Sequence, residues 1–381
     1  MPDGEDRLSV AVTTGIDAID PADWDALAGT GNPFVAHAFL AALERSGSAT
    51  ADTGWLPRHL VVRDEAGKVA AAAPLYLKNH SYGEYVFDWG WAEAYQRAGG
   101  RYYPKLQCAI PFTPVTGPRL LGEARLRPVL AAGMVELARQ WGVSSVHVTF
   151  PTEAEADTLE AAGFLRRLGF QYHWRNQGYR CFDDFLAALS SRKRKQIRKE
   201  RAAIAAQDLT IATLVGADVK ARHWDAFHRF HSQVVDRKWG SPYLTRAFFD
   251  ELSASSLGER VVLVWVEQDG RPLAAAFNML GGDILYGRTW GTRAELPFLH
   301  FEACYYRALD FAIAHGLQRV EAGAQGEHKV SRGYLPVATH SAHWIADGAL
   351  RGPVSRFLVH ERLMLAEEMA EQAEAGPFRR A

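Results

Sequence analysis

Five side chains able to move protons or hold anions fall within eight positions of the stretch GEHKVSRGY: Glu327, His328, Lys329, Arg332 and Tyr334. Glu327 is a proton acceptor, directly or through water. His328 is the one group there whose unperturbed pKa lies near neutrality. Lys329 and Arg332 suit a phosphate or a carboxylate. The stretch follows an apolar strand pattern (Leu317, Val320, Ala322), and in α/β folds reacting groups sit where rigid strands end in accessible loops. A charged surface turn has the same composition, so both readings stand.

A second set lies on one predicted helix, PFLHFEACYYRALDFAIAHG. Glu302 precedes Tyr305 and Tyr306 by three and four positions, and His300 precedes Cys304 by four, so each set is expected to share a helix face. Carboxylate and phenol together suit proton transfer; Phe301, Tyr305 and Leu309 as plain core, with Glu302 in a local ion pair, is the competing reading. Arg288 and Trp290 in YGRTWG supply a cation and a flat donor for a polar headgroup, or packing. In the first half, YYPKLQCAIPFTPVTGPR reads as an ordered loop with Tyr103, Lys105 and Thr113 lining a cleft or serving structure. His80, Tyr82, Glu84 and Asp88 in HSYGEYVFDWGW have the same status.

Between the halves, SSRKRKQIRKERA predicts a helix with Ser190 or Ser191 as N-cap. Seven cations oppose the single Glu200, and Arg192, Lys195, Arg198 and Lys199 are candidate phosphate ligands. A solvated helix face is the alternative. The run has no aromatic residue, so base stacking is not indicated.

The elements that must position these groups repeat. VVRDEAGKVAAAAPLYL, residues 61–77, aligns with VWVEQDGRPLAAAFNML, residues 264–280, matching Gly67 with Gly270 and Ala71–Ala73 with Ala274–Ala276. After each hairpin comes a third strand (EYVFDWGWA, then DILYGRTWG), a helix (124–141, then about 297–314) and another strand (VSSVHVTF, then LQRVEAG). Two copies of one mixed α/β domain are expected. Two short helices precede the first copy, and two further helices, ADVKARHWDAFHRFHSQVVDRKWG and TRAFFDELSA, precede the second.

The chain of 381 residues is 48% hydrophobic and 23% charged, an ordinary globular composition. With 43 basic and 44 acidic residues its net charge is -1, so any polyanion site must be local. Cys108, Cys181 and Cys304 are odd in number and widely spaced, which predicts buried thiols in a reducing compartment, with no disulfide framework and no metal. The start MPDGEDRLSV lacks a signal pattern and no apolar run reaches a membrane span, so a cytoplasmic protein is expected.

NPFVAHAFLAALERSGS, HSYGEYVFDWGWA, YYPKLQCAIPFTPVTGPRLL, SRKRKQIRKERA and GAQGEHKVSRGYLPVATHSAHW together closely resemble the FemAB-like family of the GNAT acyltransferase superfamily, over about residues 10–365. The resemblance implies an α/β chain with mixed sheets. It divides into a GNAT-like domain over 1–180, a helical connector belonging to the second domain over 181–258, a second GNAT-like core over 259–365, and a polar tail over 366–381. It implies attack of an amine on an activated carbonyl, with Glu327, His328, Glu302 and Tyr305 as proton-handling candidates and Arg288, Trp290, Lys329, Arg332, Tyr103, Lys105 and Thr113 as substrate ligands.

Acyl-CoA is the expected donor, because the chain is nearly neutral and lacks the coiled-coil arm of some Fem enzymes. An amino lipid or cell-envelope precursor is the expected acceptor, with peripheral membrane contact. A Fem-type transferase using aminoacyl-tRNA and a non-catalytic precursor-binding protein are the alternatives. One departure stands out: where GNAT enzymes carry a glycine-rich pyrophosphate turn, WGTRAELPFLHFEA has only Gly291 and then Pro297. A helix start near Phe298, with Arg288 and Arg293 close in sequence, is the remaining anion site of this region.

Overall fold

A computed structural model describes residues 8–238, 243–323 and 326–379. The opening residues 1–7, read above against a signal pattern, and Ala324 and Gln325 of GAQGEHK lie outside the described residues. The chain divides into two compact units. The first runs to Gly169 and takes back Ala338–Ala366; the second is Phe170–Val337 with the chain from Glu367 onward. Two of the three passages between them fall inside long strands, Leu165–Arg175 and Leu335–Ile345, and the third inside the helix Gly348–Glu374.

In the first unit, Asp20 caps the helix Pro21–Ala28 by accepting from the N–H of Ala22 at 2.8 Å, with proline at the first helical position. The hairpin Leu60–Arg63 with Val69–Ala73 forms as the glycine-bearing turn predicts. Ser9–Val12 and Leu121–Gly122 complete an antiparallel four-stranded sheet around it. Pro74, which has no N–H for a ladder, is where the chain leaves that sheet. Leu75–Lys78 then pairs with Trp55–Pro57 and Lys105–Cys108; Lys105–Cys108 runs parallel to Ser145–Thr149, which pairs with Ser341–Ile345. The helix Arg127–Trp141 presses Leu130, Met134 and Ala138 onto Val62, Ala71, Leu106 and Val146.

In the second unit, Thr210–Val215, Val261–Gln268, Arg271–Gly281 and Ile284–Thr292 form an antiparallel run. Ile284–Tyr286 continues it by parallel pairing with Arg319–Glu321, which pairs on its other edge with His173–Arg175. The helices Ser191–Ala205, Ala221–Lys238 and Arg246–Ala254 appear where the sequence predicts them. The expected fold class, mixed α/β with tandem units, is the one observed.

Several local expectations are corrected. EYVFDWGWA is not a strand: residues 81–88 are irregular and Trp89–Arg97 is a helix. Both acids of this stretch, Glu84 and Asp88, are buried around the Lys105 ammonium, while Tyr82, Phe87 and Trp89 are exposed. Gly83 (φ 79°) and Tyr85 (φ 59°) make the left-handed turns this requires. Lys105 lies on a strand rather than in a loop. In the polar tail, the helix Gly348–Glu374 covers residues 366–374, and Phe378 bridges to Leu189. Cys108 is buried as expected, whereas Cys181 is exposed.

Candidate active site

The strand Ile284–Thr292 meets Arg319–Glu321 over only three residue pairs. Beyond Tyr286 the two chains part. The neighbouring chain continues into the 3-10 turn Glu327–Arg332, which carries the five groups the sequence singled out or borders them. Lys329 reaches back to close the segment, its Nζ donating to the carbonyls of Ala322 (2.5 Å) and Gly323 (3.2 Å). Burial pulls its pKa down to about 8.

His328 is exposed, and its Nε2 lies 3.0 Å from the Tyr305 hydroxyl. Partial burial and the charges of Arg332 and Lys329 hold this imidazole below its ordinary pKa. Burial holds the Tyr305 phenol well above its own. With neutral partners, Tyr305 donates and Nε2 accepts. His300 lies edge-on nearby, 5.3 Å from the Tyr305 ring and 5.6 Å from Trp290, so Tyr305, His328 and a second imidazole share one half-open aromatic surface. Glu327 is exposed at the head of the turn.

Glu302 is not part of this group. After its first turn, Leu299–Phe301, the helix widens into a π turn at Glu302–Tyr306, whose i to i+5 bonding rotates the faces that α-helical spacing would align. Glu302, Tyr305 and Tyr306 therefore go three ways. Glu302 is buried and binds Arg307 at 2.9 Å and Arg201 at 3.2 Å. It lines, with those arginines, Ile204 and Leu209, a recess of about 440 Å³. Tyr306 donates to Glu200. Arg332, expected to hold substrate, is buried against Glu200 and stacked 3.4 Å over Phe301, so its charge is already compensated internally.

Sequence reading missed Glu321. It is buried where the two strands part, 3.1 Å from Arg319 and 3.7 Å from His173, with one carboxylate oxygen lacking a hydrogen-bond partner. Burial, only partly offset by Arg319 and Arg288, lifts its pKa to about 7, while burial and the charges of Arg319 and Arg175 push His173 down to about 3. The available signal was an acid directly after Val320 in the short strand Arg319–Glu321.

A model of the FemAB-like family, described as peptidoglycan biosynthesis/recognition, matches residues 15–380. The chain belongs to the FemAB-like family. This FemAB-like protein is similar in fold to FemX, at 13% identity and a TM-score of 0.55, over 88% of this chain and 98% of that one. It is also similar to the C-terminal domain of an Agrobacterium fabrum protein assigned as lysylphosphatidylglycerol synthetase (12% identity, TM-score 0.53, 90% and 94% covered). A third similar structure is L-PGS from Bacillus licheniformis (10%, 0.53, 87% and 97%). No curated protein matches the sequence.

Arg192, Lys195, Arg198 and Lys199 are exposed on one helix whose inward residues are Ile197, Glu200 and Ile204. Ser190 occupies the N-cap position without a capping side-chain bond. Gly291 is not a phosphate turn: a Cβ there would meet the backbone N of His231 at 2.7 Å, so it admits the helix Ala221–Lys238. Arg293 is exposed, and Phe298 (φ 68°) precedes the helix start at Leu299.

In the first unit, Thr113 is buried and bonds the Pro111 carbonyl, and Tyr103 is half-buried against Ser81. Lys105 is fully buried, donating to Asp88 (2.5 Å), Glu84 (2.8 Å) and Ser81 (2.8 Å). Lys78, 3.9 Å from Glu84, lies 3.6 Å over the Trp55 ring. Tyr102, His147 and His343 extend this interior network, which the sequence indicated only through Glu84, Asp88 and Lys105.

Proposed function

We propose that this FemAB-like protein is an N-acyltransferase that moves an acyl group from an activated donor to an amine on a cell-envelope precursor, in the cytoplasm. The observation that carries the reading is the 3.0 Å contact between Tyr305 and His328, with both groups held neutral by their surroundings. A neutral amine attacks the donor carbonyl carbon. The tetrahedral adduct then loses its N–H proton to the Tyr305 oxygen as the Tyr305 proton passes to His328 Nε2. Collapse forms the amide and expels the leaving group, a thiolate if the donor is a thioester. His328, being exposed, returns its proton to the leaving group or to water.

Lys329 and Arg288 would bind anionic parts of the substrates, and Trp290 with His300 would form a flat wall. Glu327 would accept the ammonium proton of the incoming amine. Acyl-CoA is the preferred donor; the absence of a glycine-rich turn in WGTRAELPFLHFEA means its phosphates would rest on Arg288, Arg293 or the basic helix. A second reading, aminoacyl-tRNA as donor, draws support from the exposed cations Arg192, Lys195, Arg198 and Lys199, which suit a phosphate backbone.

The deciding experiment is thermal shift with a panel of acyl-CoAs and charged tRNA, followed by turnover with amine acceptors. A ligand at 100 times its Kd raises stability by about 2.7 kcal/mol. A shift with acyl-CoA and product formation abolished in Tyr305→Phe supports the first reading. A shift only with aminoacyl-tRNA supports the second, and no shift or turnover with either overturns both.

A further inference from the structure

Glu302 is only 3% exposed, yet it lines the recess of about 440 Å³ in the second unit. The π turn at Glu302–Tyr306 separates it from Tyr305, and such turns concentrate at functional sites. One carboxylate oxygen accepts from Arg307 Nε at 2.9 Å and from Arg201 at 3.2 Å. The other is buried and has no hydrogen-bond partner among the described residues. A buried carboxylate oxygen left unpaired is costly, so its place beside a void marks a position for a donor on a ligand.

The rest of the lining fixes the kind of ligand. Ile204 and Ala205, at the end of the helix Ser191–Ala205, form an apolar wall with Leu209 and Ile211. Arg201 is engaged through both terminal nitrogens, which donate to Asp310 at 3.1 and 2.7 Å. Arg307 bonds Glu302 through Nε, which leaves its terminal amino groups as donors at the rim. Glu302 and Asp310 balance the two arginines, so these four groups carry no net charge to attract an ion.

A carboxylate would face the unpaired oxygen of Glu302, and an ammonium would face two guanidinium groups. A group with an N–H for Glu302 and a carbonyl for Arg307 satisfies both, and a hydrocarbon chain covers the wall. We propose that the recess binds a neutral carboxamide carrying an apolar chain. Its volume of about 440 Å³ lies within the roughly 300–1,000 Å³ of small-ligand pockets. The assignment does not depend on the acyl-transfer reading; an N-acyl amide, the product class of that reaction, is one such carboxamide.

The test is calorimetric titration of the full chain with three probes of one chain length: hexanamide, hexanoate and hexylamine. Hexanamide is expected to bind about tenfold or more tightly than the other two, since each ion leaves one polar partner opposed. Ala205→Trp fills the recess and abolishes binding at unchanged melting temperature, because Ala205 is exposed. Arg307→Met weakens binding about tenfold or more, and Tyr305→Phe leaves it intact. No saturable binding of hexanamide, equal binding of all three probes, or binding that survives Ala205→Trp overturns the inference. So does loss of binding in Tyr305→Phe, which would assign the amide to the acyl-transfer site. Because the readout is binding, a chain without transferase activity gives the same test, and the two proposals fail separately.

Discussion

Glu200 and Arg332, 132 positions apart, form a buried ion pair in which one guanidinium nitrogen donates to both carboxylate oxygens at 2.9 Å. Arg332 also donates to the Tyr306 hydroxyl at 3.0 Å and to the His328 carbonyl at 2.8 Å. The pair thereby anchors the 3-10 turn to the basic helix and leaves His328 facing outward.

Removing one partner strands the other in the interior. Arg332→Met is expected to destabilise the protein by about 3–5 kcal/mol, whereas Glu200→Leu combined with Arg332→Met recovers most of that loss. Urea unfolding of the wild type, both single variants and the double variant checks this; equal losses in the single and double variants would remove the pair from the account.

If Tyr305 and His328 relay the proton, Tyr305→Phe and His328→Asn each lower kcat by about 10²–10⁴-fold. The double variant is little worse than either single one, because both remove the same relay. His328 must be neutral to accept, and its pKa lies below the ordinary imidazole value. Activity therefore rises with pH through a limb below about 6.5 and is flat above it. A limb above that value would exclude His328 as acceptor.

His147 is buried among Tyr102, Ser145 and His343, and burial together with the Lys105 charge pulls its pKa down to about 3. The unfolded chain protonates this residue near 6.5, the folded chain only near 3. Its contribution is complete above 6.5 and is lost as pH falls toward 3, at up to about 1.4 kcal/mol per pH unit. His147→Gln should flatten the stability profile by that slope between those limits, read by urea unfolding at successive pH values.

Gly291→Ala places a methyl group against the backbone of His231 and the Phe230 side chain. A loss of about 1–3 kcal/mol follows if neither helix nor strand can shift. An unchanged melting temperature would show that the helix Ala221–Lys238 yields.

Charge reversal of Arg192, Lys195, Arg198 and Lys199 is expected to leave stability within about 0.5 kcal/mol, because all four are exposed. If the donor is a polyanion held there, the same change raises its Kd and reduces the salt dependence of binding by about one unit of slope per lost contact. A fluorescence titration of CoA and tRNA at several salt concentrations separates the two donors.

Much of the architecture was determined by local pattern. The hairpin glycines Gly67 and Gly270, the alternating apolar strands and the 3.6-residue periodicity of the helices act within short spans, so they are readable one segment at a time. The same holds for the gathering of Glu327, His328 and Lys329, which one turn of chain enforces. What only the tertiary structure decided was partnership. Helical spacing set Glu302 beside Tyr305, yet the π turn separates them, and Arg332 finds its carboxylate 132 positions away. EYVFDWGWA, an apolar run by composition, bends because Lys105 on a distant strand demands the carboxylates of Glu84 and Asp88. A buried charge costs several kcal/mol unless it is paired, and which partner meets it depends on strands and helices brought together from remote parts of the chain.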